Sequence, residues 1–154
     1  MKISVPNIPE EGVHIHFAEH PVTLEGTSLI VTGPIAGRVS LHKFGNVDVH
    51  IRGSLSANIV LSCVRCLNSF EYCLESEFYV DCTHEEKTAV HGQEHRLYGE
   101  ELNLHFYEGE TLEVNDIIES QIYLEIPMAP LCKEACLGLC ITCGEDLNTR
   151  FCKH

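Results

Sequence analysis

Four cysteines, Cys132, Cys136, Cys140 and Cys143, stand within twelve residues of this chain. Four thiolates are the common ligand set of a structural zinc site, closed and tetrahedral. They also suit iron, and the residue types alone do not separate the two ions. The last pair is a Cys-x-x-Cys, and Gly144 follows it directly. That spacing lets two sulfurs face one ion while backbone N–H groups turn toward them. Glycine just past the turn permits the positive φ that such a reversal needs. The full spacing, Cys-x3-Cys-x3-Cys-x2-Cys, lacks the long gap between the two knuckles of an ordinary zinc ribbon. A quartet this local requires a sharply folded loop, but no docking of distant segments. Cys152 and His154 are candidate replacements at the same site.

A second Cys-x-x-Cys, Cys63-Val-Arg-Cys66, lies between two alternating segments. The alternative set is therefore Cys63, Cys66, Cys140 and Cys143: two knuckles from distant segments that would staple the tail to a sheet. A thioredoxin-type dithiol needs its first cysteine at a helix N-terminus within a βαβ unit. The strand context of Cys63 and Cys66 does not supply one. Cys73 and Cys82 read as small strand residues.

These thiols must be held by elements the hydropathy pattern predicts. From Gly37 onward the apolar positions are Val39, Leu41, Val47, Val49, Ile51, Leu55, Ala57, Ile59 and Leu61, with mostly polar residues between them. Period two marks strands with one buried face. Gly45-Asn46 is a natural reversal, and Gly53-Ser54 a candidate bulge. A third strand follows Cys66, through Phe70, Tyr72, Leu74 and Phe78 to Val80. An edge strand is expected around Val13–Phe17, where His14 and His16 share the solvent face. Thr83–Gly99 breaks the pattern and reads as a loop; His84, His91 and His95 in it lack a regular element to fix a metal geometry. Glu101–Tyr107 alternates again. Val114–Ile126 reads as a helix capped by Asn115 or Asp116 and ended by Pro127.

The expected fold is α+β, mainly antiparallel β (a meander or a partly open barrel), with one helix and a C-terminal Cys-rich metal-binding tail. The expected organisation is a single domain over 1–154: a β meander at 37–82, a mobile loop at 83–99, a strand plus helix at 100–128, and a zinc-knuckle tail at 129–154.

Composition narrows the function. The chain has 154 residues, 44% of them hydrophobic, nine cysteines, and a formal charge of −13. No apolar run suits a membrane helix, and the N-terminus lacks a signal-peptide core. A cytoplasmic protein is expected, in which cysteines serve metals before disulfides. The negative field repels phosphate, so little direct affinity for naked nucleic acid is expected. It complements a basic protein. No serine–histidine motif, phosphate-cradling glycine loop or carboxylate pair stands out.

Three stretches together carry a resemblance: Cys63-Val-Arg-Cys66-Leu67 after an alternating strand; Ile122-Tyr-Leu-Glu-Ile-Pro-Met128; and Cys136-Leu-Gly-Leu-Cys-Ile-Thr-Cys-Gly-Glu-Asp-Leu-Asn148. Across roughly residues 35–152 the chain resembles the bacterial and plastid family named for accumulation of large-subunit ribosomal RNA, long known as a domain of unknown function. It departs from the family's pattern at Ile141, where proline is frequent, and at Cys152-Lys-His154, where Cys-x-Cys is frequent. The resemblance implies a cytoplasmic factor needed for normal levels or processing of 23S ribosomal RNA. With the charge, it favours a non-catalytic factor that binds a basic ribosomal protein or a large-subunit precursor particle, with structural zinc. A zinc-dependent hydrolase acting on RNA and a thiol-redox protein are the alternatives.

Overall fold

The alternation from Ile35 to Val80 becomes three long strands paired in sequence order. The computed structural model describes residues 1–19, 29–84, 103–150 and 152. Its elements are β1 (Lys2–Ser4), β2 (Val13–Glu19), β3 (Ile30–Val31), β4 (Ile35–Phe44), β5 (Asp48–Ser62), β6 (Ser69–His84), β7 (Leu104–Tyr107), β8 (Thr111–Glu113) and the helix α1 (Val114–Glu125). The main sheet runs β2-β4-β5-β6-β7, with β3 on β5 beyond the end of β4. Every pairing is antiparallel except β6 with β7, which is parallel. β2 and β7 end the sheet, which is an open meander and not a closed barrel. A separate two-stranded ribbon joins β1 to β8.

One face of the sheet is the core. Val39 and Leu41 of β4, Val49, Ile51, Ile59 and Leu61 of β5, and Leu74 and Val80 of β6 all point inward and are buried. α1 lies across them with Val114, Ile117, Ile118 and Ile122. Each fully buried Ile or Leu contributes about 1.5–3 kcal/mol relative to exposure. Ser76 is the buried polar residue of this face, and its hydroxyl donates to Glu125 Oε1 at 3.0 Å. The helix therefore closes on the sheet with its polar end satisfied.

Gly53 is not a bulge. β5 runs straight through it in register, Val39 opposite on one side and Phe78 on the other. An added Cβ would lie 2.8 Å from Phe78 Cε1 and 2.9 Å from Val39 Cγ1. The glycine is there because the Phe78 ring fills its inward place. The helix also starts earlier than its side chains suggest. Glu113 is the N-cap and makes no side-chain cap bond, while Asp116 falls in the first turn. The Val114 N–H instead donates to the Met1 carbonyl at 3.0 Å, so the residue just before β1 supplies part of the cap. Thr83 and His84, expected in a loop, continue β6. The rest of that expected loop, with His91 and His95, lies outside the described residues.

Candidate metal centre

β5 ends at Ser62 and β6 begins at Ser69, so the first Cys-x-x-Cys forms the hairpin turn between the two longest strands. The Cys63 N–H donates to the Asn68 carbonyl at 2.9 Å and the Leu67 N–H to the Cys63 carbonyl at 2.9 Å. The reversal places Leu67 at φ +61°, the left-handed region that a side chain disfavours. Cys63 and Cys66 point inward and are buried.

Pro127 and Pro130 turn the chain out of α1 and back over this hairpin. The Val64 N–H donates to the Pro130 carbonyl at 3.0 Å. Arg65 fastens the next segment from both its ends: its guanidinium Nη1 donates to the Cys136 carbonyl at 2.9 Å, and its own carbonyl accepts from the Leu139 N–H at 3.2 Å. The result is a cluster of four thiols, Cys63, Cys66, Cys132 and Cys136, whose sulfurs all lie within 4.8 Å of one another. Cys63 Sγ is 3.8 Å from Cys136 Sγ, and Cys66 Sγ is 3.7 Å from Cys132 Sγ. Zinc–sulfur bonds of ~2.3 Å in a regular tetrahedron set the sulfurs about 3.8 Å apart. Disulfide sulfurs stand at about 2.0 Å. The spacing fits a tetrahedral ion. Phe70, Leu131 and Leu139 pack around the thiols.

Neither quartet read from the sequence is gathered in one place. Cys132 and Cys136 of the local set join Cys63 and Cys66, while Cys140 and Cys143 join Cys152 in a second cluster. The cause is Gly138. It sits at φ +76°, with its α-carbon so close to the first hairpin that a Cβ would be 3.1 Å from the Arg65 carbonyl oxygen. The chain bends there and carries Cys140 away from Cys136. The distributed alternative joins Cys63 and Cys66 to Cys140 and Cys143; the structure sets them beside Cys132 and Cys136. The signal for the division was numerical: setting aside Cys73 and Cys82 leaves seven cysteines, enough for a set of four and a set of three. His154 lies outside the described residues.

The second cluster hangs on a small hairpin. Leu139 and Asp146 form a β-bridge, the Cys140 N–H donates to Glu145 O at 2.8 Å, and the Gly144 N–H donates to Cys140 O at 2.9 Å. Gly144 has φ +73°, as its place after the Cys-x-x-Cys predicts. Cys152 Sγ stands 3.3 Å from Cys143 Sγ and 3.4 Å from Cys140 Sγ.

The electrostatics of both clusters favour thiolate at selected sulfurs. The Cys132 N–H, followed by those of Cys66 and Arg65, outweighs burial and holds the Cys63 thiol down at about 6. Burial and the adjacent Cys66 and Cys136 sulfurs push Cys132 up to about 12. At Cys66 the Asn68 N–H favours the thiolate, but burial and the Cys63 sulfur outweigh it and the pKa is raised. The Cys143 and Thr142 N–H groups bring Cys140 down to about 7. Four thiolates this close repel one another, and a dication among them converts that repulsion into binding. Asp146 ties the two modules together. Its carboxylate accepts from Asn68 Nδ2 at 2.7 Å and from the Asn148 N–H at 2.9 Å. Asn148 in turn donates through Nδ2 to Cys136 Sγ at 3.4 Å, an outer contact on a candidate ligand.

The outward face of the sheet is divided by charge. On β6, Glu71, Glu75 and Glu77 are exposed and alternate along one row. On β2, β4 and β5, a shallow basin of about 590 Å³ is lined by His14, His16, Arg38 and Arg52, with Tyr79 and Glu77 at its β6 side. The Arg52 guanidinium lies 5.4 Å from the centre of the Tyr79 ring.

The fold and its cysteine clusters define a class: an open antiparallel meander carrying a C-terminal thiol module that can hold metal. The model of the large ribosomal RNA subunit accumulation protein YceD family matches residues 51–154, and this chain belongs to that family. It is 31% identical over 101 residues to an uncharacterized protein of Mycobacterium leprae (strain TN), covering 65% of this chain and 43% of the relative. It is 38% identical over 50 residues to the chloroplastic large ribosomal RNA subunit accumulation protein YCED homolog 1 of Arabidopsis thaliana, covering 32% of this chain and 16% of that one. The chain thus spans less than half the length of these curated relatives. No solved structure matches it. Among the described residues no helix is long and apolar enough to cross a membrane.

Proposed function

We propose that this chain is a non-catalytic cytoplasmic factor that supports the accumulation or processing of 23S ribosomal RNA and assembly of the large subunit, through contact with a basic ribosomal protein or precursor particle. The observation that carries the biological half is the family match, which takes in both Cys-x-x-Cys knuckles. Zinc in the four-thiol cluster is the reading its sulfur spacing supports. Four thiolates fill a tetrahedral ion and leave no place for a water, so the ion clamps hairpin, helix exit and tail together and does not activate a nucleophile.

Two features support protein contact. The chain carries a formal charge of −13. Among the described residues no strand pairs with the outer edge of β6 before Asp81, where β7 begins. An extended basic segment added to that edge would set its cations beside Glu71, Glu75 and Glu77. The Arg38–Arg52 basin favours a second reading, direct contact with a single RNA strand, because a guanidinium over an aromatic ring is a stacking platform for bases.

The test is deletion of the gene followed by measurement of large-subunit against small-subunit RNA, with fractionation of the tagged protein. A fall in large-subunit RNA, and the protein found with precursor particles or a free basic ribosomal protein, is the expected result. Unchanged RNA levels would reject the proposal.

A further inference from the structure

We propose that Cys140, Cys143 and Cys152 form a second metal site, separate from the four-thiol centre, that holds a thiophilic divalent ion such as zinc through their three thiolates and releases it before the first centre does. The inference shares the thiolate–metal reading of the first centre but stands on different residues.

The three sulfurs lie within 4.8 Å of one another, and among the described residues no fourth His, Cys, Asp or Glu ligand atom joins them. Their contacts of 3.3 and 3.4 Å are too long for a disulfide and close to the spacing that a shared ion demands. The site is also built by its backbone. The Thr142 N–H points at Cys140 Sγ from 3.4 Å, and the Gly144 N–H closes the turn on the Cys140 carbonyl. This N–H-to-sulfur turn is what lets two sulfurs of a Cys-x-x-Cys face one ion. Among the described residues no shared ligand links the two centres, and Gly138 diverts the chain between Cys136 and Cys140.

The two sites differ in access. Cys63, Cys66 and Cys136 are at most 3% exposed, whereas Cys143 is exposed and Cys140 and Cys152 are half-buried. Ile141, between the two knuckle cysteines, stands fully in solvent. Water and a competing chelator reach an ion held here more readily than one held by those buried sulfurs. Changes in the shell around a metal site shift its affinity on the order of 10–100-fold. The second ion therefore leaves first.

The experiment uses the full chain purified in reducing buffer without chelator. Zinc is counted by elemental mass spectrometry, and its release to excess 4-(2-pyridylazo)resorcinol is followed in time. Two zinc ions per chain are expected, released in two phases whose rates differ by at least about tenfold. Cys143→Ser and Cys152→Ser should each abolish the fast phase and keep the slow one, which also shows that the variants are folded. Cys63→Ser should remove the slow phase. One zinc per chain, retained in Cys143→Ser, would overturn the second site while leaving the first intact. Loss of the slow equivalent alone would defeat the first centre and not this one. A Cys143–Cys152 disulfide in the reduced preparation would also overturn it.

Discussion

Cys63 and Cys136 are 73 residues apart in sequence, yet their sulfurs are 3.8 Å apart in space. A metal bridging them closes a loop that contains β6, β7, β8 and α1. Such a clamp stabilises the docking of the tail on the hairpin. The gain is local in the folded state, because the thiols form a hydrophobic cluster distinct from the main core. Removal of metal with a strong chelator should therefore free the tail and spare the sheet. Amide exchange should rise by orders of magnitude at Cys63–Asn68 and Cys136–Leu147 while Ile51, Ile59 and Leu74 stay protected. Uniform loss of protection across both regions would show that the ion supports the whole fold.

Leu67 and Gly144 occupy the same place in their two knuckles, directly after the second cysteine, and both have positive φ, +61° and +73°. Leu67 is 68% exposed, so little packing repays its strain. A left-handed non-glycine residue costs roughly 1–2 kcal/mol, of which glycine's greater unfolded-state freedom returns about 0.5–1. Leu67→Gly should stabilise the zinc-loaded protein by roughly 0.5–1 kcal/mol, and Leu67→Ala should not. Gly144→Ala should cost about 1 kcal/mol, although a Cβ there meets nothing within 4 Å. Urea midpoints of the three variants, with zinc in excess, decide the matter.

The strands and the helix were legible because burial on one face writes its period into the sequence. Val39, Leu41, Val49 and Ile51 show period two, while Val114, Ile117, Ile118 and Ile122 show the helical stripe. The start of α1 was not, since the Met1 carbonyl that accepts from Val114 is more than a hundred residues away in sequence. The cysteines were legible as candidate ligands, but their division into two clusters was not. It depends on Arg65 gripping Cys136 and Leu139, and on Gly138 turning over the Arg65 carbonyl. Spacing along the chain carries neither contact. The same holds for the parallel β6–β7 pair, which alternation alone cannot orient.

Cys82 and Cys73 share β6 but face opposite sides. Cys82 points into the core at 1% exposure, and burial, with a smaller push from Asp81, raises its thiol to about 12. Iodoacetamide at pH 8 should modify Cys73, which is exposed, and leave Cys82 until the chain unfolds. The folded pKa lies above the ordinary 9.0, so this group's contribution to stability is complete below pH 9. It is lost as pH rises from 9 to about 12, by roughly a few kcal/mol. Cys82→Ala should be less stable at pH 7 and should lose less stability over that alkaline range. Equal slopes for the two proteins, followed by thermal unfolding, would count against the assignment.

The two halves of the outward sheet face make opposite demands on a partner. Glu71, Glu75 and Glu77 project from β6, and their side chains stand in solvent, so converting all three to lysine should leave the core untouched. If a basic protein segment docks on this edge, the triple change replaces attraction by repulsion. Association with precursor particles should then fall by at least about tenfold, the equivalent of 1.4 kcal/mol, and the wild-type interaction should weaken with salt. Arg38→Ala with Arg52→Ala should leave that association unchanged, because both side chains lie on the β4–β5 side of the face. The direct-RNA reading makes the reverse prediction: the lysine variant would bind RNA more tightly and the arginine variant would lose it. Cofractionation of both variants, beside filter binding to a single-stranded ribosomal RNA fragment, separates the readings. Cleavage of that fragment, lost together with the fast-releasing zinc, would instead make the three-thiol site a catalytic one. No cleavage is expected, since three thiolates already outweigh the charge of a zinc ion and weaken its pull on a bound water.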